Sequence, residues 1–177
     1  MKVRVAIMEA NSSERDALVA LINGNENTIC CGAFANGNHW ETDLLGARPD
    51  VLVLDIGLPG RNGLEIASLV SQTFPEIKIL IQTLMYDNRK IFESLSSGAS
   101  GYILKNEPPA RILQSILEVY NGGGAFSPSV ARKIVNFFNN KNVMLIAPDN
   151  VDYQLSIREK QLLHFMVEGL GLKAIAR

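Results

Sequence analysis

A doubly wound, five-stranded parallel sheet of strand order 2-1-3-4-5, with a helical C-terminal extension, is the α/β fold the sequence predicts. Two observations predict it. Over the first two-thirds of the chain, five short β-branched or apolar runs alternate with stretches of helical spacing, the pattern of repeated strand–helix crossovers. The runs hold about five apolar residues each, which suits strands buried on both faces. In such a sheet ligands bind outside the carboxyl ends of the strands, where the strand order reverses. The residues that close each run therefore matter most.

The runs are Val3–Met8, Thr28–Ala33, Val51–Asp55, Lys78–Thr83 and Gly101–Leu104. Asn11, Ser12 and Ser13 ahead of Glu14 read as the start of the first helix, because short polar side chains satisfy its free N–H groups. In that helix Leu18, Leu21 and Ile22 share a face. Leu64, Ala67 and Leu69–Val70 do so more loosely in the third. Pro108–Pro109 opens the fifth, in which Ile112, Leu113, Ile116, Leu117 and Tyr120 repeat the i, i+3, i+4 spacing. Three glycines, Gly122–Gly124, then break the pattern as a hinge or cap, with no GKS or GKT behind them to make a phosphate loop. Ser127–Pro128 restarts a helix that runs to about Phe138. An Asn-rich stretch from Asn139 to Tyr153 reads as linker, and Ser156 with Glu159 forms a capping-box signature ahead of Leu162, Leu163, Phe165 and Met166.

Composition narrows the classes. Across 177 residues, 47% are hydrophobic and 20% charged, ordinary for a water-soluble globular chain. No apolar stretch approaches the roughly 18 to 20 residues of a membrane span, and the first residues do not resemble a signal peptide. The expected location is the cytoplasm, with no membrane partner. Residues 1–126 carry 10 basic and 14 acidic side chains, and residues 127–177 carry 7 and 4. An acidic first part and a mildly basic tail point to two roles. Cys30 and Cys31 are adjacent, so in a strand they point to opposite faces and read as small buried hydrophobes. His39 and His164 have no clustered partners, and Trp40, opening the second helix, reads as packing.

At the strand ends stand Glu9, Asp55, Thr83 and, just past the fifth strand, Lys105. Under the predicted order these four strands are contiguous, so two acids, a hydroxyl and an ammonium converge. That is a set suited to phosphoryl chemistry: nucleophile, hydrogen-bond donor and cation. Any one of them is commonplace at a strand end. Four of the right types at four separate ends is a much stronger signal.

The run VLVLDIGLPGRNGLE, with ILIQT and GASGYILK after it, resembles the receiver domain of bacterial two-component response regulators, a flavodoxin-like fold, over residues 1–121. The resemblance implies a phosphoacceptor at Asp55, a hydroxyl at Thr83 that shifts toward the phosphoryl group, a cation at Lys105 that pairs with it, and an aromatic switch at Tyr102. It also implies Mg²⁺ bound by Glu9, Asp55 and Gly57, and a sensor histidine kinase as phosphoryl donor. A homodimer through helices 4 and 5, or 1 and 5, is a further implied arrangement. The implied protein is a switch and not a turnover enzyme.

Several positions depart from the family pattern. The acidic pair after strand 1 is Glu9–Ala10, and losing one acid should weaken a Mg²⁺ site that uses only one or two carboxylates. Leu84 stands where a small residue usually leaves a channel to the acceptor, so narrowing of that channel is expected. Gly57 and Met85 cannot hold an attacking water through their side chains. Proline is also delayed after Lys105 to Pro108. Two readings stay open: a receiver that phosphorylates on Asp55 with a long-lived active state, and an atypical receiver that acts by protein–protein contact without phosphorylation.

Further on, YQLSIREKQLLHFMVEGLGLKAIAR resembles the opening of the helix-turn-helix domain of the NarL/LuxR class. The implied organisation is a receiver over 1–121, a linker with one helix over 122–154, and an incomplete LuxR-type DNA-binding domain over 155–177. The second, base-reading helix of such a motif is not reached by Arg177, so DNA is an expected partner, and transcription regulation an expected role, of a full-length protein only. Two rival classes fit less well. A haloacid-type phosphatase needs a second acid at the position of Gly57, and a flavodoxin-like cofactor site would place Glu9 at the mouth of its phosphate loop, where it repels phosphate.

Overall fold

Each predicted run becomes a strand in the computed structural model, which describes residues 2–139. The strands are β1 (Val3–Met8), β2 (Thr28–Phe34), β3 (Val51–Leu54), β4 (Lys78–Thr83), β5 (Gly101–Leu104) and β6 (Ala125–Phe126). Between and after them lie α1 (Ser12–Asn23), α2 (Trp40–Ala47), α3 (Gly63–Thr73), α4 (Asn88–Ser96), α5 (Pro109–Tyr120) and α6 (Pro128–Asn139). The sheet is parallel throughout, in the order β2-β1-β3-β4-β5-β6. The predicted order is thus present, with six strands rather than five. The sixth is two residues long, too short to show a periodicity. It forms because Gly101 lets the Ala125 carbonyl approach to 2.6 Å of where a β-carbon would stand.

The helix starts follow their capping chemistry. Asn11 accepts hydrogen bonds from the Ser13 and Glu14 N–H groups, and Asn62 from Leu64. Pro109 sits in the first turn of α5, where its missing N–H is no loss. At α6 the Ser127 carbonyl accepts the first helical bond from Ala131, while its hydroxyl accepts from the Leu104 N–H instead of capping the helix. Ser127 thereby ties α6 to the end of β5.

Two apolar layers flank the sheet. On one side Val5, Ile7, Val53, Leu80 and Ile103 meet Leu18 and Ile22 of α1 and Ile112, Ile116 and Val119 of α5. On the other Leu52, Leu54, Ile79 and Ile81 meet α2, α3 and α4 through Leu44, Ile66 and Ile91. Within the α5 spacing read from sequence, Tyr120 turns out exposed, and Val119 takes the buried place. Cys30 and Cys31 do pack on opposite layers, but both are half-buried rather than buried because β2 is the sheet edge. Trp40 packs edge-on against Phe74, their ring centres 6.1 Å apart. His39 is exposed.

Beyond the glycines the chain does not leave this unit. β6 pairs with β5, and Val130 and Ile134 of α6 join the α2–α4 layer. Residues Met1–Asn139 form one compact unit and Asn140–Arg177 a second. The expectations on residues 140–177, including His164 and the helix-turn-helix segment, lie outside the described residues. No described helix is long and apolar enough to cross a membrane.

Candidate functional site

Register brings the predicted strand ends to one place. Met8 pairs with Leu54, Leu54 with Ile81, and Thr83 with Leu104, so the next residues along these strands meet. Asp55 is the first residue past β3, and its N–H donates to the Met8 carbonyl. Gly63 at the start of α3 lets the helix crowd this bend: a β-carbon there would lie 2.2 Å from the Asp55 carbonyl oxygen. Lys105 follows β5, and its N–H donates to the Thr83 carbonyl.

The ammonium of Lys105 is the centre of the site. It lies 2.9 Å from Asp55 Oδ2, 2.7 Å from Glu9 Oε2 and 2.6 Å from Glu14 Oε2. Lys105, Glu9 and Asp55 are nearly buried here, with Glu14 partly open to water. Burial works against the lysine's charge, but the hydrogen bonds to Glu14, Glu9 and Asp55 outweigh it and hold the ammonium above its ordinary pKa. Glu9 is held in turn by the Asn11 N–H, which donates to its other oxygen at 2.9 Å.

Glu14 is the residue that strand-end reasoning missed. It sits in the first turn of α1 and returns to the strand ends from outside the sheet. The only sequence signal for it was an acid in the first turn of a helix, which reads equally well as favourable placement near the helix dipole. With it the site holds three carboxylates and one ammonium.

Thr83 is buried, and its hydroxyl accepts from the Met85 N–H at 3.3 Å; no hydrogen bond joins it to Asp55 or Lys105 among the described residues. Tyr102 is fully buried, and its hydroxyl donates to the Met85 carbonyl at 2.9 Å. Burial, with the nearby charges of Asp87 and Asp55, pushes its phenol well above the usual tyrosine value, so it remains a donor. Leu84, one step past the end of β4, is 73% exposed.

The β4–α4 loop reaches α6 directly. Tyr86 donates its hydroxyl hydrogen to the Ser129 carbonyl at 3.1 Å. Lys133 donates to the Tyr86 carbonyl and lies 3.7 Å above its ring centre. Phe92 of α4 stacks on Phe137 of α6, their centres 3.8 Å apart. The surface of α4 and β5 is therefore partly covered by the chain's own α6 and β6.

The residues present fit Mg²⁺ in a reduced form. Two strand-end carboxylates converge on one point, and that number suffices for an ion that takes its other oxygens from water and phosphate. Gly57 is exposed and stands beside Asp55, the place of its missing β-carbon lying 3.4 Å from Asp55 Oδ2. Ala10 is exposed and brings no oxygen side chain. Among the described residues no group of three or more His, Cys, Asp or Glu side chains is disposed to hold a metal ion, because the three carboxylates here close on an ammonium instead.

Comparison with known proteins agrees with this geometry. A family model described as the response regulator receiver domain matches residues 5–117. The oxygen regulatory protein NreC of Staphylococcus epidermidis (strain ATCC 12228 / FDA PCI 1200) is 33% identical over 177 residues, covering 98% of this chain and 81% of its own. NreC of Staphylococcus carnosus (strain TM300) is 30% identical over 176 residues, with the same shares. Among solved structures, a two-component response regulator of the LuxR family from Aurantimonas sp. SI85-9A1 aligns with a TM-score of 0.73 at 26% identity, covering 77% of this chain and 97% of that one. With an aspartate just past β3, a lysine just past β5 and these relatives, the chain belongs to the response regulator receiver family, in the LuxR class of two-component transcription regulators.

Proposed function

We propose that Asp55 is the phosphoacceptor and that Lys105, Thr83 and Tyr102 convert its modification into a change at the β4–α4 loop. The observation that carries this reading is the 2.9 Å contact between Lys105 Nζ and Asp55 Oδ2. It supports the reading because an ammonium at that distance could pair with the charge of a phosphoryl group on Asp55. An Asp55 oxygen attacks the phosphorus of a phosphohistidine on a sensor histidine kinase; the new O–P bond forms as the P–N bond breaks, and the imidazole leaves with a proton. Mg²⁺, bound by Glu9, Asp55 and the Gly57 carbonyl and weakened by Ala10, would supply neutralisation of the phosphoryl oxygens. Lys105 would then exchange carboxylate oxygens for phosphoryl oxygens, which carry close to two negative charges.

Thr83 is the residue poised to follow. Its hydroxyl holds Met85 N–H, and Met85 carbonyl holds Tyr102. Turning that hydroxyl toward a phosphoryl oxygen releases the Met85 N–H, and the loop resettles between two packings of the same fold. The loop bears on α6, which leads into residues 140–177. In a full-length protein this would govern a DNA-binding domain and the pairing of two copies. The assignment of residues 1–121 to the receiver, 122–154 to a helix-bearing connection and 155–177 to a partial helix-turn-helix is part of the same proposal. The missing acid at Ala10 favours a second reading, in which partner contact moves the loop without phosphorylation.

The test is incubation with acetyl phosphate and Mg²⁺, followed by intact-mass spectrometry, with Asp55→Ala as control and Ala10→Asp alongside. One added phosphoryl group on the parent, absent from Asp55→Ala, is the expected result. An adduct on Ala10→Asp and none on the parent would assign the chain to the contact-driven reading.

A further inference from the structure

The sheet face beneath α1 and α5 is apolar until Gln82. Side chains alternate along a strand, so Gln82 follows Leu80 onto this face while Ile79 and Ile81 pack on the other. Gln82 is 5% exposed, and its amide oxygen is buried without a partner. Neither end of the amide makes a hydrogen bond among the described residues. Burying an amide in this way is unfavourable unless something else completes it.

Gln82 lines a cleft of about 280 Å³ between α1 and α5. Its walls are aliphatic: Leu18 and Leu21 on one side, Pro109 and Ile112 on the other. Its polar rim is Glu9, Glu14 and Glu107 against the single cation Lys105. That cation is already committed to Glu9, Glu14 and Asp55. The Glu107 carboxylate has no ion pair or hydrogen bond among the described residues. An anion entering the cleft would meet surplus negative charge, and a purely apolar solute would leave the amide unpaired. An ammonium group on a short aliphatic body meets every feature at once.

We propose that the α1–α5 cleft binds a small aliphatic ammonium cation, its chain against Leu18, Leu21 and Ile112 and its charge between Glu14 and Glu107, with Gln82 as the amide that orients it. The site needs no phosphoryl group on Asp55 and stands independently of the function proposed above.

The test is a titration of the ¹⁵N-labelled 177-residue chain with n-pentylammonium, and in parallel with 1-pentanol and pentanoate. For the ammonium we expect saturable shifts confined to α1, α5 and the Gln82 side-chain amide, with a dissociation constant on the order of 1 mM, as befits so small a ligand. Pentanol should bind about tenfold more weakly, since it lacks the charge, and pentanoate should produce no saturable shifts. Gln82→Leu and Glu107→Gln should each weaken the ammonium about tenfold. Glu107→Gln changes a partly exposed side chain outside the apolar layers, so it keeps the test decisive should Gln82→Leu disturb the fold. Equal binding of pentanol and pentylammonium, unchanged binding by Glu107→Gln, or shifts that spread over the surface without saturating would each overturn the proposal.

Discussion

Around Asp55, three carboxylates close on one ammonium, drawn from β1, α1, β3 and the end of β5. Immediately beyond Thr83, the loop from Leu84 to Asp87 is held by single contacts instead, among them the Thr83 and Tyr102 hydroxyls from within and one lysine and one carbonyl from α6. The first region is buried and charged, and its parts come from elements far apart in sequence. The second is largely exposed, and its ties to α6 are uncharged or near the surface. A buried ion cluster is expensive to rearrange because each group left unpaired must be desolvated or neutralised. A loop tied by separate hydrogen bonds opens at far lower cost. Under the function proposed above, charge would be sensed where the structure is stiff and the change expressed where it is soft.

Removing the centre of the stiff region should have the largest effect. Lys105→Met leaves Glu9 and Asp55 facing one another with little water to screen them. Loss of one partner from a buried pair costs about 3 kcal/mol or more, read as a lowered midpoint in urea unfolding. A change below about 1 kcal/mol would mean that the cluster is as wet as the loop, and the contrast would fail. The pH dependence sharpens the point. Because the folded-state pKa of Lys105 is raised, its contribution is fully present below the unfolded lysine value of about 10.4 and is lost as pH rises through the higher folded value. The parent's excess stability over Lys105→Met should therefore hold from pH 7 to about 10 and shrink above it.

Tyr102→Phe probes the seam between the two regions. It keeps the buried ring and removes only the donor to the Met85 carbonyl. About 1 kcal/mol of stability should go with that hydrogen bond. More telling would be faster amide hydrogen exchange across Met85 and Tyr86 with unchanged exchange in β1 and β3. Uniform acceleration throughout would show that loop and cluster open as one unit.

How far the sequence reached follows the same division. The strands β1, β3, β4 and β5 and the polar residues at their ends, Glu9, Asp55, Thr83 and Lys105, were legible because parallel strands are short apolar runs that stop at polar residues, and strand order then sets their neighbours. Glu14 was not, since its reach to Lys105, 91 residues away, depends on how α1 settles over the sheet. Gln82 looked like an ordinary strand residue until the cleft beside it was visible. β6 escaped because two residues carry no period, and Gly101 owes its place to a carbonyl of a strand that had not been read.

The smallest expected effect lies at the far end of the loop. Lys133→Met retains most of the aliphatic stem, so what it removes is the donor to the Tyr86 carbonyl and the charge above the Tyr86 ring. Both are near the surface, where a cation–π contact contributes roughly 0.5–1 kcal/mol and a single hydrogen bond is of similar size. Global stability should accordingly fall by at most about 1 kcal/mol, because the Phe92–Phe137 stack and the burial of Val130 still fix α6 to the unit. Locally the consequence is larger in kind. Tyr86 would keep its own bond to Ser129 but lose the clamp on its backbone, so amide hydrogen exchange at Tyr86 and Asp87 should quicken while the urea midpoint barely moves. If Tyr86 stays as immobile as before, the hydroxyl contact alone fixes the loop to α6, and the lysine is a surface cation that happens to lie above a ring.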